Sequence, residues 1–201
     1  NNISKMIEDN RIDIRDYDSV SNIINSANPD FVFHLAAQSL VRESYDQPLK
    51  TFEINAMGTA NILEALISLD KKVTVVMITS DKAYDNVEWV WGYKETDRLG
   101  GKDPYSASKG MAELVIKTYF ESFIKDKTDK ITLGIARAGN VIGGGDWAKD
   151  RIVPDCIRSW SIDQPVKIRN PNSTRPWQHV FEPLSGYLSL AGALTVNSKI
   201  N

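Results

Sequence analysis

Cysteine is nearly absent: Cys156 is the single one in 201 residues. No intrachain disulfide can form, and such usage fits a reducing compartment, so a cytoplasmic protein is expected. Histidine is almost as scarce, with His34 and His179 alone, and neither CxxC nor HExxH occurs, which argues against a zinc site. No apolar run approaches the ~20 residues of a membrane span, and no signal peptide is visible. Neither sign of charge dominates: 24 Lys and Arg face 26 Asp and Glu, for a net charge of −2, with no basic arm or face. Nucleic-acid and membrane partners are therefore not expected. Internal repeats and low-complexity tracts are lacking too. So is an initiator Met: the opening Asn1-Asn2 reads as loop or linker and the closing Ser198–Asn201 as the start of another strand, as expected of a piece of a longer protein. The length suits one core, with room for the beginning of a second domain.

What the sequence holds in quantity is an alternation of strand and helix patterns. Arg11 to Ile14 reads as a short strand. Val20, Ile23, Ile24 and Ala27 form a helical stripe, ended by Pro29-Asp30. Phe31 to Ala37 is a nearly continuous apolar run of the kind buried on both faces of a parallel sheet. Apolar positions from Leu49 to Leu69 predict a long helix and Lys72 to Thr79 a β-branched strand. Tyr105 to about Lys125 predicts a second long helix, and Ile131 to Ala136 another strand. A Gly-rich loop over 139–150, a helix from Ile152 to Trp160, an extended segment from Val166 to Arg169 and a helix from Glu182 to Leu194 complete the pattern. Residues 83–104 carry no period, and so long a connection in a compact domain is usually functional. The fold class predicted is α/β, a Rossmann-like doubly wound parallel sheet. In such sheets ligands bind beyond the carboxyl ends of the strands. Asp13, Ala36 to Ser39, Ser80-Asp81-Lys82 and Asn140 all fall at such ends and predict one crevice.

Asp103-Pro104 marks a helix start, which sets Tyr105 and Lys109 one turn apart on one face. A phenol of pKa about 10 is a poor base, but a neighbouring ammonium favours its phenolate and makes the pair a proton-transfer device. On a surface helix the same spacing is only an exposed Tyr and an exposed Lys. Asp13, His34-Leu35-Ala36-Ala37, Ser80 and Tyr105/Lys109, in that order, resemble the extended short-chain dehydrogenase/reductase family. Within it, Thr79–Lys82, Trp89–Tyr93, Gly100–Lys109 and Thr174–Val180 resemble the nucleotide-sugar 4,6-dehydratases, in particular those acting on CDP-glucose. The likeness runs from about Ile12 to the C-terminal end. The family's Gly-x-x-Gly-x-x-Gly turn, which holds a cofactor pyrophosphate at a helix N-terminus, does not precede Ile12. The expected arrangement is thus an NAD-binding domain over 1–150, without its first βα unit, and part of a small substrate-binding region over 151–201.

The resemblance implies NAD as cofactor, a nucleotide-sugar substrate (CDP-glucose), a homodimer packed through the Leu49 and Tyr105 helices, and a role in deoxysugar and O-antigen synthesis. It implies oxidation at sugar C4, loss of water across C5 and C6, and return of hydride to C6. Tyr105 is then the base for the C4 hydroxyl. Lys109 lowers its pKa and binds the nicotinamide ribose. Ser80 bonds the same sugar oxygen, or simply satisfies backbone at a strand end. Asp81 is the acid for the departing C6 hydroxyl. Lys82 stands where many relatives carry Glu, and is either the C5 base, if its pKa is strongly lowered, or a cation that stabilises the enolate. Asp13, with Ile14 beside it, meets the adenine edge, or is a turn carboxylate. Leu35, Ala36, Ala37 and Gln38, with Ser39, offer small and polar contacts to the cofactor, or close helix–sheet packing. Asn140, Arg175 and Arg151 are placed near the substrate diphosphate, and Gly143–Gly145 are a phosphate loop or a flexible turn. Asn55 is scaffold, His34 has no chemistry, and His179 is a core histidine with a satisfied ring. Trp89, Trp91 and Trp177 line the sugar site or fill core, and the 83–104 loop covers the site. The alternatives are a 4-epimerase or reductase of the same family, which does not need Asp81-Lys82, and a non-catalytic nucleotide-binding fragment.

Overall fold

The computed structural model describes residues 3–127 and 129–196. Three parallel strands form the main sheet in the order β1 (Phe31–His34), β2 (Val73–Ile78), β3 (Ile131–Ala136). Phe31 pairs with Thr74, and Val73 with Ile131. Parallel neighbours need crossovers, and helices supply them. α2 (Val41–Asp46), α3 (Pro48–Phe52) and α4 (Gly58–Ile67) lie between β1 and β2, and α5 (Pro104–Tyr119) lies between β2 and β3.

Strand β2 is central, and its alternate residues build two cores. Val73, Val75 and Met77 pack with Val20, Leu63, Leu66 and Ile116, from α1 (Tyr17–Ala27), α4 and α5. Val76 faces the other way, toward Tyr187, Ala191 and Leu194 of α7 (Phe181–Val196). The sheet is therefore covered on both faces, as the sequence predicts. Gly134 on β3 lets α7 sit close, since a Cβ there would come within 2.9 Å of Leu194.

The expected helices from Ile152 and from Glu182 are observed as α6 (Ile152–Trp160) and α7. The Leu49 helix is broken by a π turn, Glu53–Met57, between α3 and α4. α5 likewise runs into a π turn, Phe120–Ile124. Three expectations fail. Arg11–Ile14 is not a strand, because among the described residues no strand lies beside it to complete a ladder. The strand expected from Phe31 stops at His34 and is only half-buried, since β1 is an edge: Phe31 is 49% exposed. Val166–Arg169, expected only to be extended, joins no ladder among the described residues. The glycine loop instead contains β4 (Asn140–Ile142), which pairs in parallel with β5 (Trp177–His179) in a second sheet. The expected strand start at Ser198 lies outside the described residues.

Candidate functional site

The start of α5 places the Tyr–Lys pair. Asp103 caps the helix by accepting from Ser106 N at 2.9 Å and Ser106 Oγ at 2.6 Å. Pro104 occupies the first turn, where a missing N–H is harmless. Ser44 Oγ, on α2, accepts from Tyr105 N at 3.1 Å. Both Tyr105 and Lys109 are thereby buried, with 8% and 7% of their surface exposed, so they are no surface pair. Opposite them, β2 ends at Ile78 and is followed by Thr79 and Ser80. Ser80 caps a 3-10 turn, Asp81–Ala83: its Oγ donates to Asp81 Oδ1 at 3.1 Å and accepts from Lys82 N at 3.2 Å. The Ser80 hydroxyl and the Asp81 carboxylate both lie near enough to the Tyr105 phenol to act on its ionisation, the first favouring it and the second opposing it.

The electrostatics differ from the expected tuning. Burial pushes the Tyr105 phenol above its ordinary range, a direction that Ser80 opposes and Asp81 and Asp103 reinforce. The cation that favours the phenolate is Arg151 rather than Lys109. Spacing alone could not reveal this, because burial acts on both members of the pair. The Lys109 ammonium is itself lowered to about 8 by burial, with Glu113 opposing. His34 is lowered to about 4 by burial and by the Lys109 charge; its neutral ring sits 3.1 Å from Thr59 Oγ1.

Two adjoining hollows lie beyond the strand ends. The first, of about 600 Å³, is lined by Asp13, Ile14, Ala36, Ala37 and Gln38, with Lys50 and Ile54. The second, of about 890 Å³, is lined by Lys82, Asn140, Arg151, Arg175 and Trp177 among others. Ser39, Leu40 and Glu43 border both, so the strand ends share one crevice. Arg151 reaches Ser39 Oγ at 3.3 Å and Asp146 at 3.4 Å, while its buried Nε has no hydrogen bond among the described residues. Arg15 holds the Asp13 carboxyl down at about 2, chiefly by hydrogen bonds. Gly58 admits Ile14 beside the helix: a Cβ would stand 2.5 Å from Ile14 Cδ1.

Asn55 is the scaffold the sequence predicts. Its Oδ1 accepts from Gln38 N at 2.8 Å, and its Nδ2 donates to Gln38 O at 3.0 Å and to Ser108 Oγ at 2.8 Å. One buried amide so joins the loop after β1 to α5. Other expectations change. Leu35 is exposed and lines neither hollow. His179 is exposed, not core; its Nδ1 accepts from Phe181 N at 3.3 Å. Trp89 and Trp91 stack on one another and lie outside both hollows, whereas Trp177 lines the second. Gly143 borders the second hollow, but Gly144 and Gly145 do not. Sequence reasoning missed Ser44, one polar residue among many in 42–47, and Glu113 and Arg137, single charged residues within apolar patterns. Among the described residues no cluster of three or more His, Cys, Asp or Glu can hold a metal.

Lys109 is a buried residue whose ammonium has no hydrogen bond or ion pair among the described residues, and a cation largely withdrawn from water is costly unless paired. The family pattern described as GDP-mannose 4,6 dehydratase matches residues 1–187. The chain belongs to this family. CDP-glucose 4,6-dehydratase of Salmonella typhimurium is 52% identical over 195 residues, which is 96% of this chain and 54% of that protein. dTDP-D-glucose 4,6-dehydratase of Dictyostelium discoideum is 30% identical, over 87% of this chain and 41% of that protein. The solved RMD of Pseudomonas aeruginosa, complexed with NADPH, has a TM-score of 0.76 at 28% identity, over 91% of this chain and 62% of that one. The chain spans about half the length, or less, of these curated dehydratases, while its fold matches that of the solved RMD.

Proposed function

We propose that this chain carries the reacting centre of an NAD-dependent nucleotide-sugar 4,6-dehydratase that converts CDP-glucose to CDP-4-dehydro-6-deoxyglucose and water. The observation that carries the reading is the buried Tyr105 phenol, near enough to Ser80 and Asp81 for both to act on its ionisation, beside the turn from which Lys82 reaches the second hollow. The 52% identity to a CDP-glucose 4,6-dehydratase supports the substrate.

NAD fits the small and polar lining of the first hollow. Asp13 and Ile14 would hold the adenine end, Ala36 and Ala37 would let the backbone approach, and Lys109 would hold the ribose hydroxyls. Bound there, it supplies a hydride acceptor for sugar C4 and a donor for C6. The chain's own groups do the rest. Tyr105 takes the C4 hydroxyl proton, with Ser80 bonding the same oxygen and Arg151 favouring the phenolate. Asp81 protonates the departing C6 hydroxyl. Lys82 acts at C5, as base or as a cation beside the enolate. Arg175, Arg151 and Asn140 hold the diphosphate, where guanidinium groups bind phosphate oxygens in pairs.

Residues 1–150 form the cofactor side in this reading, and 151–201 contribute the substrate side. The exposed Leu49, Met57, Met111 and Leu114, on the helices expected to dimerise, fit a homodimer. The free Cys156 fits a reducing cytoplasm. No helix among the described residues is long and apolar enough to cross a membrane. The loop over 83–104 is read as the cover of the site, and the product as a precursor in deoxysugar and O-antigen synthesis.

The test uses the protein with NAD and CDP-glucose, the product being read by the absorbance that 4-keto-6-deoxy sugars develop in alkali. Lys82→Met should keep sugar-nucleotide binding and lose solvent exchange at C5. Exchange retained in that variant would remove Lys82 as the base. A 4-epimer as the product would replace the dehydratase reading by an epimerase.

A further inference from the structure

We propose that Glu113 and Arg137 are positioning residues that set the charge of Lys109 and tie the 84–99 loop to the reacting strand end; the catalytic importance of both rests on the dehydratase reading. Glu113 follows Lys109 by one turn of α5 and is almost fully buried, at 2% exposure. Its Oε1 accepts from Thr79 Oγ1 at 2.6 Å and from Arg137 Nε at 2.7 Å, and its Oε2 accepts from Arg137 Nη2. Thr79 immediately precedes Ser80, so the carboxylate fixes the strand end from which the Ser80–Asp81–Lys82 turn departs.

Arg137 directly follows β3 and carries the connection outward. Its guanidinium lies 4.5 Å from the centre of the Tyr84 ring, and its Nη1 donates to Glu95 O at 3.4 Å. Tyr84 and Leu99 form an isolated bridge, which closes the loop between them. One buried ion pair therefore touches the helix of Tyr105 and Lys109, the strand end before Ser80, and both limbs of the long loop. A bidentate guanidinium–carboxylate pair is well suited to this, because it fixes orientation as well as distance.

The same carboxylate acts on Lys109. The groups that act on this ammonium or feel its charge are His34 on β1, which is neutral, and Glu113 one turn further along α5. Glu113 is the charge among them that favours the protonated amine, against burial. A protein with Gln at this position should hold Lys109 neutral over a wider range of pH.

Labelling of Lys109 by an amine-selective anhydride, followed by mass spectrometry across neutral to alkaline pH, tests this. The unaltered protein and Glu113→Gln are compared. The expected result is a midpoint lower by about half a unit, hence roughly threefold faster labelling below both midpoints. An unchanged midpoint in a folded Glu113→Gln protein overturns the proposal. Should Glu113→Gln not fold, the double variant Glu113→Gln/Arg137→Gln, which leaves neither charge orphaned, must show the same downward direction; no shift there also overturns it. Arg137→Lys keeps the Glu113 charge but loses the fork over Tyr84. It should leave the Lys109 midpoint in place while hydrogen exchange in 84–99 quickens severalfold; unchanged exchange contradicts the loop tie. Neither readout needs turnover of CDP-glucose. A shifted midpoint in a protein that proves inactive on that sugar therefore supports the charge-setting role and sinks only the dehydratase reading.

Discussion

Asn55→Ala should be among the most damaging single changes outside the apolar core. The Asn55 side chain makes three hydrogen bonds, to Gln38 N, Gln38 O and Ser108 Oγ, and both Asn55 and Gln38 are buried. Truncation strands the Gln38 N–H and C=O where water cannot replace the amide. Each stranded group costs roughly 1–3 kcal/mol, so the expected loss is ~3–5 kcal/mol once the small cavity is included. Urea unfolding at neutral pH measures it, with Asn25→Ala as the control. Among the described residues the Asn25 side chain makes one exposed hydrogen bond, to Ser21 Oγ, and its loss should cost well under ~1 kcal/mol. Because Gln38 lines the first hollow and Ser39 borders both, Asn55→Ala should also weaken NAD binding in the fraction that stays folded. A loss below ~1 kcal/mol would mean that the amide is replaceable and that the loop after β1 is held by something else.

Three further changes probe the reacting centre. Tyr105→Phe keeps the ring and removes the proton acceptor, so kcat should fall by about 10²–10⁴-fold with little change in sugar-nucleotide binding. Lys109 is lowered by burial from 10.5 to about 8, so the folded state binds fewer protons between those values. Folding stability should therefore rise with pH across that window, by up to about 3 kcal/mol, and Lys109→Met should flatten the rise while abolishing turnover. His34 is depressed from 6.5 to about 4, so its contribution is present above 6.5 and lost as pH falls toward 4. Urea titrations should show about 3 kcal/mol disappearing there in the unaltered protein and not in His34→Gln.

Long, strongly patterned elements were legible from the sequence. α6 and β3 carry their own periodicity or β-branched run, and α5 its Asp103-Pro104 start, so their bounds follow from local chemistry. β4 and β5 were not legible: each has three residues, and what makes them strands is a partner some 37 positions away, the pairing of Asn140 with Trp177. Arg11–Ile14 shows the converse, a strand-like run left without a neighbour. In the site, residue types at strand ends pointed to Asp13, Ala36, Lys82 and Asn140, which do line the two hollows. What they withheld was the balance of burial against charge. The Tyr105–Lys109 spacing suggests mutual tuning, yet burial dominates both groups and the opposing charges come from Arg151 and Glu113. Those partners sit 46 residues after Tyr105 and one turn after Lys109, and neither position announces itself.

The most direct measurement follows a label. CDP-glucose carrying deuterium at C4 is incubated with the protein and NAD, and the product is examined by NMR and mass spectrometry. The account predicts a 4-keto-6-deoxy sugar with the deuterium now on C6 and, in heavy water, solvent deuterium at C5. A product that keeps the label at C4, or sugar nucleotide bound and released unchanged by a protein that also binds NAD, would contradict it.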